Sequence, residues 1–254
     1  MPDREELLRV QDPARASEWI DAEVRRWRSR RADLRQTYTD AALSHYHGFR
    51  HLPADARFGR VLAFGGGDGQ EILPVLGQAQ RVTVIDASGL ALHPALAEAG
   101  AEARGPVDDG SIAEPSGAFD LITCFGVLTY LPDPVASFAE LRRCLAPGGW
   151  LLLREPIVAM NLEQPEHAGL GRYGRGIPLA VLDDLVQQGF RVCHRSLCTV
   201  AVTRHLGPNP YNDPRAVRID ALLARIMARN VHYRASRPWH HLRPKAAAYL
   251  LQKQ

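Results

Sequence analysis

The stretch Val61-Leu-Ala-Phe-Gly-Gly-Gly-Asp-Gly-Gln-Glu71 decides how the rest of the 254-residue chain is read. Its apolar start, ending at Phe64, reads as a strand buried on both faces; the glycines turn the chain, and the residues after them read as a helix. Gly65, Gly67 and Gly69 set a GxGxG spacing. The dinucleotide fingerprint needs its third glycine at position 70, which is Gln70, so a pyrophosphate site is disfavoured. Glycine here still lets backbone approach a ligand with no side chain in the way.

Further apolar runs follow at helix-length intervals: RVTVID (81–86), FDLITCF (119–125) and GGWLLLREP (148–156). Runs of this kind predict an α/β fold, a doubly wound Rossmann-like sheet of seven mostly parallel strands. Asp133 and Pro134 form an N-cap and first-turn pair for a helix carrying Val135, Phe138, Leu141 and Leu145, which Pro147-Gly148-Gly149 ends. Later segments read as a helix at 179–188, a strand near 190–203, a helix opened by Asp213-Pro214 and a final strand in KAAAYLLQK. Before the motif, residues 1–58 read as helical, with Ser17 as N-cap and Trp19, Ile20, Val24, Trp27 and Leu34 at helical spacing. The division expected is a helical lid or substrate segment (1–58), a core (59–203 with 246–254) and a helical cap insertion (204–245).

Composition narrows the function classes. At 46% hydrophobic and 23% charged, with a net charge of +3, the chain suits a globular domain. No apolar run reaches the ~18 residues that span a bilayer, and the first ten residues are charged, so no membrane partner and a cytoplasmic location are expected. The four cysteines are scattered without metal-site spacing, which predicts buried thiols and no metal. Residues 1–60 hold 12 arginines against 10 acids, a net of +2, which favours a solvated helix face over a nucleic-acid contact. The remainder is asymmetric: residues 61–156 carry 5 arginines and 12 acids (−7), residues 157–254 carry 14 basic residues and 6 acids (+8).

Asp86 ends the second strand, 21 residues after Gly65, where a carboxylate can accept from both hydroxyls of a ribose. Asp108 and Asp109 follow the expected third strand. In order and spacing, VLAFGGGDG, VIDAS, the VDD before FDLITCFGVLTYLPDP, and LRRCLAPGGWLLLREP resemble the class I S-adenosylmethionine-dependent methyltransferases over roughly residues 59–156. The resemblance implies S-adenosylmethionine as cofactor and S-adenosylhomocysteine as product. It implies that Gly65, Gly66, Gly67, Asp68 and Gly69 face the methionine part and that Asp86 holds the ribose. Ala87 and Ser88 would flank the adenine, Asp108 would accept from its amino group, and the backbone of Cys124, Phe125 and Gly126 would meet the methionine ammonium. Asp109 has turn capping as an equal alternative. The family often has an acid two residues before the first glycine; this chain has Ala63, leaving backbone carbonyls or another acid such as Asp68 for the ammonium.

On the acceptor side, Glu155, His47 and Tyr130 are the general-base candidates, with His45 beside them. Each has a structural alternative: surface or satisfied histidines, a packing aromatic, a Glu155 paired with Arg154 or Arg175. The loop GLGRYGRGIP, with Tyr173 and Arg175, reads as a lid or recognition loop, similar to ones in bacterial methyltransferases of sugars and secondary metabolites. Arg215, Arg218, Arg225 and Arg229 fall within an arc of about 80° beside Ile219, Leu222, Leu223 and Ile226. They either bind an anionic group on the acceptor or form a solvated face over the apolar stripe. The expectation is O-methylation of a small molecule, a sugar or natural-product scaffold. RNA or protein methylation and a cofactor-binding protein without turnover are the alternatives, and an anionic acceptor and a homodimer stay open.

Overall fold

The computed structural model describes residues 25, 40–106, 111–131, 133–158, 176–232, 239 and 242–254. The readings on Ser17, on the apolar residues 19–34, on Asp108 and Asp109, and on Tyr173 and Arg175 lie outside the described residues, and Tyr130 is described in its backbone alone.

Strands β1 (Phe58–Phe64), β2 (Ala79–Ile85), β3 (Glu102–Arg104), β4 (Phe119–Phe125), β5 (Leu145–Val158), β7 (Phe190–Cys198) and β8 (Ala246–Lys253) form one sheet in the order β3-β2-β1-β4-β5-β8-β7. A two-residue β6 (Ile177–Pro178) pairs with the end of β5. The first five strands are parallel, and β8 runs antiparallel to both β5 and β7. The mostly parallel sheet expected from the apolar runs is therefore present.

Period-2 alternation explains why these strands are apolar throughout. Leu62 and Phe64 join a core layer with Ile122, Leu151, Phe138 and Leu182, while Val61 and Ala63 join the opposite layer with Leu121, Val84 and Ile72. Helices α1 (Ala41–His47), α2 (Pro94–Glu98), α3 (Pro134–Cys144), α4 (Leu179–Leu185) and α5 (Pro214–Ile226) complete the fold. Asp133 caps α3 as expected, its carboxylate accepting from the Ala136 N–H at 2.9 Å. The buried Phe138, Leu141 and Cys144 then recur at helical spacing along one face.

Three expectations are corrected. The segment after the glycine turn is a 3-10 helix, Gln70–Gln78, because Pro74 inside it has no N–H for an α-helical ladder. The apolar stripe of α5 is not covered: Ile219, Leu222 and Ile226 are 46%, 59% and 61% exposed, and the arginines leave them so. The helix docks instead through Ala216, Val217, Asp220 and Ala224, with Val217 in a cluster with Leu43, Cys198 and Ala248. Asp220 is buried there because it accepts from Thr199 N–H (2.7 Å), Val200 N–H (2.8 Å) and Thr203 Oγ1 (2.6 Å). It holds the turn in which Thr199 adopts a φ of +60°. Of the four cysteines expected to be buried, Cys193 is exposed.

Candidate functional site

Strand order reverses between β1 and β4, so connections diverge there and open a crevice at the carboxyl ends of β2, β1 and β4. The glycine turn sits at its edge. Gly65 has a φ of +68°, and a Cβ on it would land 2.3 Å from Val127 Cγ2, so no other residue fits between β1 and the loop after β4. Gly69, at φ +82°, is pressed the same way against Leu96 and Val84.

Asp86 joins the turn to the end of β2. Its Oδ2 accepts from Gly67 N–H at 2.8 Å and its Oδ1 from Ser88 N–H at 2.7 Å. These bonds occupy two of the roughly four acceptor positions on a carboxylate, leaving capacity for a vicinal diol. Ala87 beside it is exposed and Ser88 buried. Asp68 is engaged locally, accepting from the backbone and the side-chain amide of Gln70 at 3.3 and 2.7 Å.

The acid that lies beneath the turn is Glu71, which the sequence reading passed over. Ala63 and Thr123 are partners across β1 and β4, so their side chains share a face of the sheet. Glu71 fills the space over them and accepts a hydrogen bond from Thr123 Oγ1. A Cβ on Gly66 would stand 2.7 Å from Ala63 Cβ and 3.5 Å from the Glu71 carboxyl group. Burial pushes the Glu71 pKa up to about 7, against the Thr123 hydrogen bond and the charge of Arg154 and with the help of Asp86 and Asp68.

Beyond β4, Gly126 donates to the Arg154 carbonyl at 2.6 Å and turns the chain at φ +70°. The Phe125 ring meets Phe49 edge-on at 6.2 Å, and the Arg154 guanidinium lies 5.0 Å from it. Cys124 points into the core, where burial raises its thiol well above the usual range. Arg154 is paired with Asp40 (2.9 Å) and Ser44 (3.0 Å) and so ties α1 to the sheet.

Two of the general-base candidates, Glu155 and His47, point inward, and the side chain of the third, Tyr130, lies outside the described residues. Glu155 has no exposed surface and accepts from the N–H groups of Val127 (2.9 Å), Leu128 (3.0 Å) and Thr129 (3.3 Å). It thereby caps the 3-10 turn Leu128–Tyr130, while the neighbouring Arg154 pairs with Asp40. Burial outweighs those three bonds and lifts its pKa to about 7. His47 is buried against Ser196, with Nδ1 2.8 Å from Oγ, and its Nε2 has no hydrogen-bond partner among the described residues. Burial, then Arg154 and Arg50, push its pKa down to about 3, too weak a base for a hydroxyl near neutrality. A cleft of about 430 Å³ lies by α4 and the β7–β8 edge, where Asp183 is already paired with Arg195 and Tyr249, and none of the glycine-turn residues lines it.

Comparison with known proteins identifies the family. The family model described as a methyltransferase domain matches residues 25–187. The chain belongs to this methyltransferase family, within the class I enzymes that use S-adenosylmethionine. A ubiquinone biosynthesis O-methyltransferase of Thiobacillus denitrificans is 35% identical over 98 residues, 36% of this chain and 42% of that protein. One from Xanthomonas oryzae pv. oryzae is 46% identical over 41 residues, 16% of this chain and 17% of that protein. The chain thus spans less than half the length of the curated relatives it matches. Among solved structures, an S-adenosylmethionine-dependent methyltransferase from Mesorhizobium loti aligns with a TM-score of 0.53 at 17% identity over 85% of this chain and 100% of that one. The [4+2]-cyclase SpnF aligns with a TM-score of 0.53 at 21% identity over 83% of this chain and 79% of that one. Both show the fold alone, and the second is named for a cyclisation, so the reaction has to be argued from the site.

Proposed function

We propose that the chain binds S-adenosylmethionine across the carboxyl ends of β1, β2 and β4 and transfers its methyl group to a hydroxyl of a small molecule. One observation carries the reading: Asp86, fixed by Gly67 and Ser88 N–H groups beside the glycine turn, at the point where strand order reverses. The residues fit the cofactor. A diol meets the Asp86 carboxylate, a backbone bare of Cβ atoms admits the methionine part, and an acidic floor accepts a molecule carrying a sulfonium and an ammonium. Ala87 and Ser88 flank the adenine in this reading, Asp108 accepts from its amino group with Asp109 as its neighbour in the turn, and the Cys124–Gly126 backbone meets the ammonium. When bound, the cofactor supplies a methyl group already activated by a positively charged sulfur. The protein's own contribution is then to hold donor and acceptor in line and keep water out. Support for an oxygen acceptor comes from the ubiquinone biosynthesis O-methyltransferases, with a ring or sugar hydroxyl as the chemical class. Residues 1–58 and 204–245 would wall the acceptor side, Arg218 and Arg225 facing an anionic group on it.

Titration calorimetry with S-adenosylhomocysteine should show binding that Asp86→Ala weakens at least about tenfold. Incubation of the chain with labelled S-adenosylmethionine and a panel of phenols and glycosides should then transfer label to one class. Absence of any S-adenosylhomocysteine binding would remove the reading altogether.

A further inference from the structure

We infer that Glu71 is the positioning residue for the cofactor's amino-acid end, an acid moved from the end of β1 to the segment after the turn. The inference rests on the methyltransferase reading and specifies how this chain answers a cationic ligand with Ala63 where the family often has an acid. Three observations converge on it. Ala63 is small enough to leave a space over its side of the sheet, and the Glu71 carboxyl group occupies that space beneath Gly66. Thr123, the partner of Ala63 across β4, donates to Glu71 Oε1 and orients it. Among the described residues Thr123 is the one hydrogen-bond donor to the carboxylate, and Arg154, a cation that influences it, pairs with Asp40 and Ser44. Glu71 is thus a buried acid with one hydroxyl for company, an arrangement that costs stability unless a cation arrives.

The role is electrostatic and acts through the turn, since Glu71 is itself 5% exposed. A unit positive charge placed above Gly66 interacts with it across a few ångströms of water-poor interior, where attraction is far stronger than in solvent. The groups acting on Glu71 are Thr123 from β4, Arg154 from β5, Asp86 from the end of β2 and Asp68 from the turn, with the Cys124 thiol on the opposite face of β4. With its own pKa raised to about 7, ligand-free Glu71 is partly protonated near neutrality, and a bound cation draws it to the ionised form. Affinity for a ligand with an ammonium group therefore rises as pH increases from 6 to 8.

The test uses the full chain and two probes, S-adenosylhomocysteine and 5′-methylthioadenosine, which lacks the amino-acid end. Glu71→Gln keeps the shape and the Thr123 contact. It should weaken S-adenosylhomocysteine at pH 8 by about tenfold, abolish the rise in affinity between pH 6 and 8, and leave methylthioadenosine unchanged. Ala63→Asp combined with Glu71→Ala should restore most of the loss by returning the acid to the strand. Equal binding of S-adenosylhomocysteine to wild type and Glu71→Gln, with the same pH profile, overturns the inference while leaving the methyltransferase reading intact. Equal loss of both probes marks Glu71 as structural and also overturns it. A wild-type chain that binds neither probe fails at the methyltransferase reading itself.

Discussion

Glu71 and Glu155 are the same side chain, both buried, both with a pKa pushed to about 7 by burial, and they flank the same strand β4 from opposite faces. Their partners separate them. Glu155 gathers three backbone N–H groups from Val127 to Thr129 and so completes the turn that follows β4. Glu71 has the Thr123 hydroxyl as its one donor among the described residues. Burial therefore says little about role; the number and charge of donors says more. A carboxyl group that satisfies backbone is part of the scaffold, whereas one left short of donors beneath a ligand crevice is held in reserve for a cation.

The sharpest way to break this contrast is to replace each acid by methionine in the ligand-free protein. Glu155→Met strands three buried N–H groups and should cost about 3–5 kcal/mol in urea denaturation. Glu71→Met removes a poorly compensated acid, so its stability should stay within about 1 kcal/mol of wild type or rise. Comparable losses in both would erase the distinction.

A pH series sharpens it next. Glu155 has a folded pKa of about 7 against 4.5 unfolded, so between those values the folded state binds more protons and its contribution falls as pH rises. His47 has the opposite sign: its folded pKa of about 3 against 6.5 unfolded makes stability fall as pH drops through that window. Compared at pH 7.5 and 4.5, wild type should gain on Glu155→Gln upon acidification and lose against His47→Gln. The smallest effect is expected from Thr123→Val, which removes the hydroxyl that orients Glu71. S-adenosylhomocysteine affinity should drop a few-fold and unfolding free energy change by about 1 kcal/mol.

The cofactor half of the molecule was far more legible in the sequence than the acceptor half, for a physical reason. Residues 58–125 place strand, turn and carboxylate at fixed spacings, because backbone hydrogen bonding and the sheet's period of two leave little freedom. The strand ending at Phe64, Asp86 at the next strand's end and FDLITCF all stand where the spacing predicts. For Glu155 and His47 the sequence shows that an acid or a histidine is near a strand end, and not which way it points. Glu155 faces inward to cap its neighbour's turn, and His47 is folded under α1 against Ser196. Glu71 was missed because it stands on a segment read as an ordinary helix. The signal was available as a pair: a small residue where the pattern favours an acid, and an acid in the first turn after the glycines. Asp220 on α5 escaped for the same reason, a polar residue on a helix being read as solvated until its three donors are seen.

The contact between Ala63, Gly66 and Glu71 also governs which mutations the chain tolerates. Putting Asp at position 63 alone sets a second acid against a buried one in a space already filled, and removing Glu71 alone leaves the crevice floor neutral. Each change should weaken binding by itself and do less harm beside the other, which is reciprocal epistasis between two positions eight residues apart. A scan of single substitutions will record both sites as intolerant, and only the pairwise scan will reveal that they are two answers to one requirement.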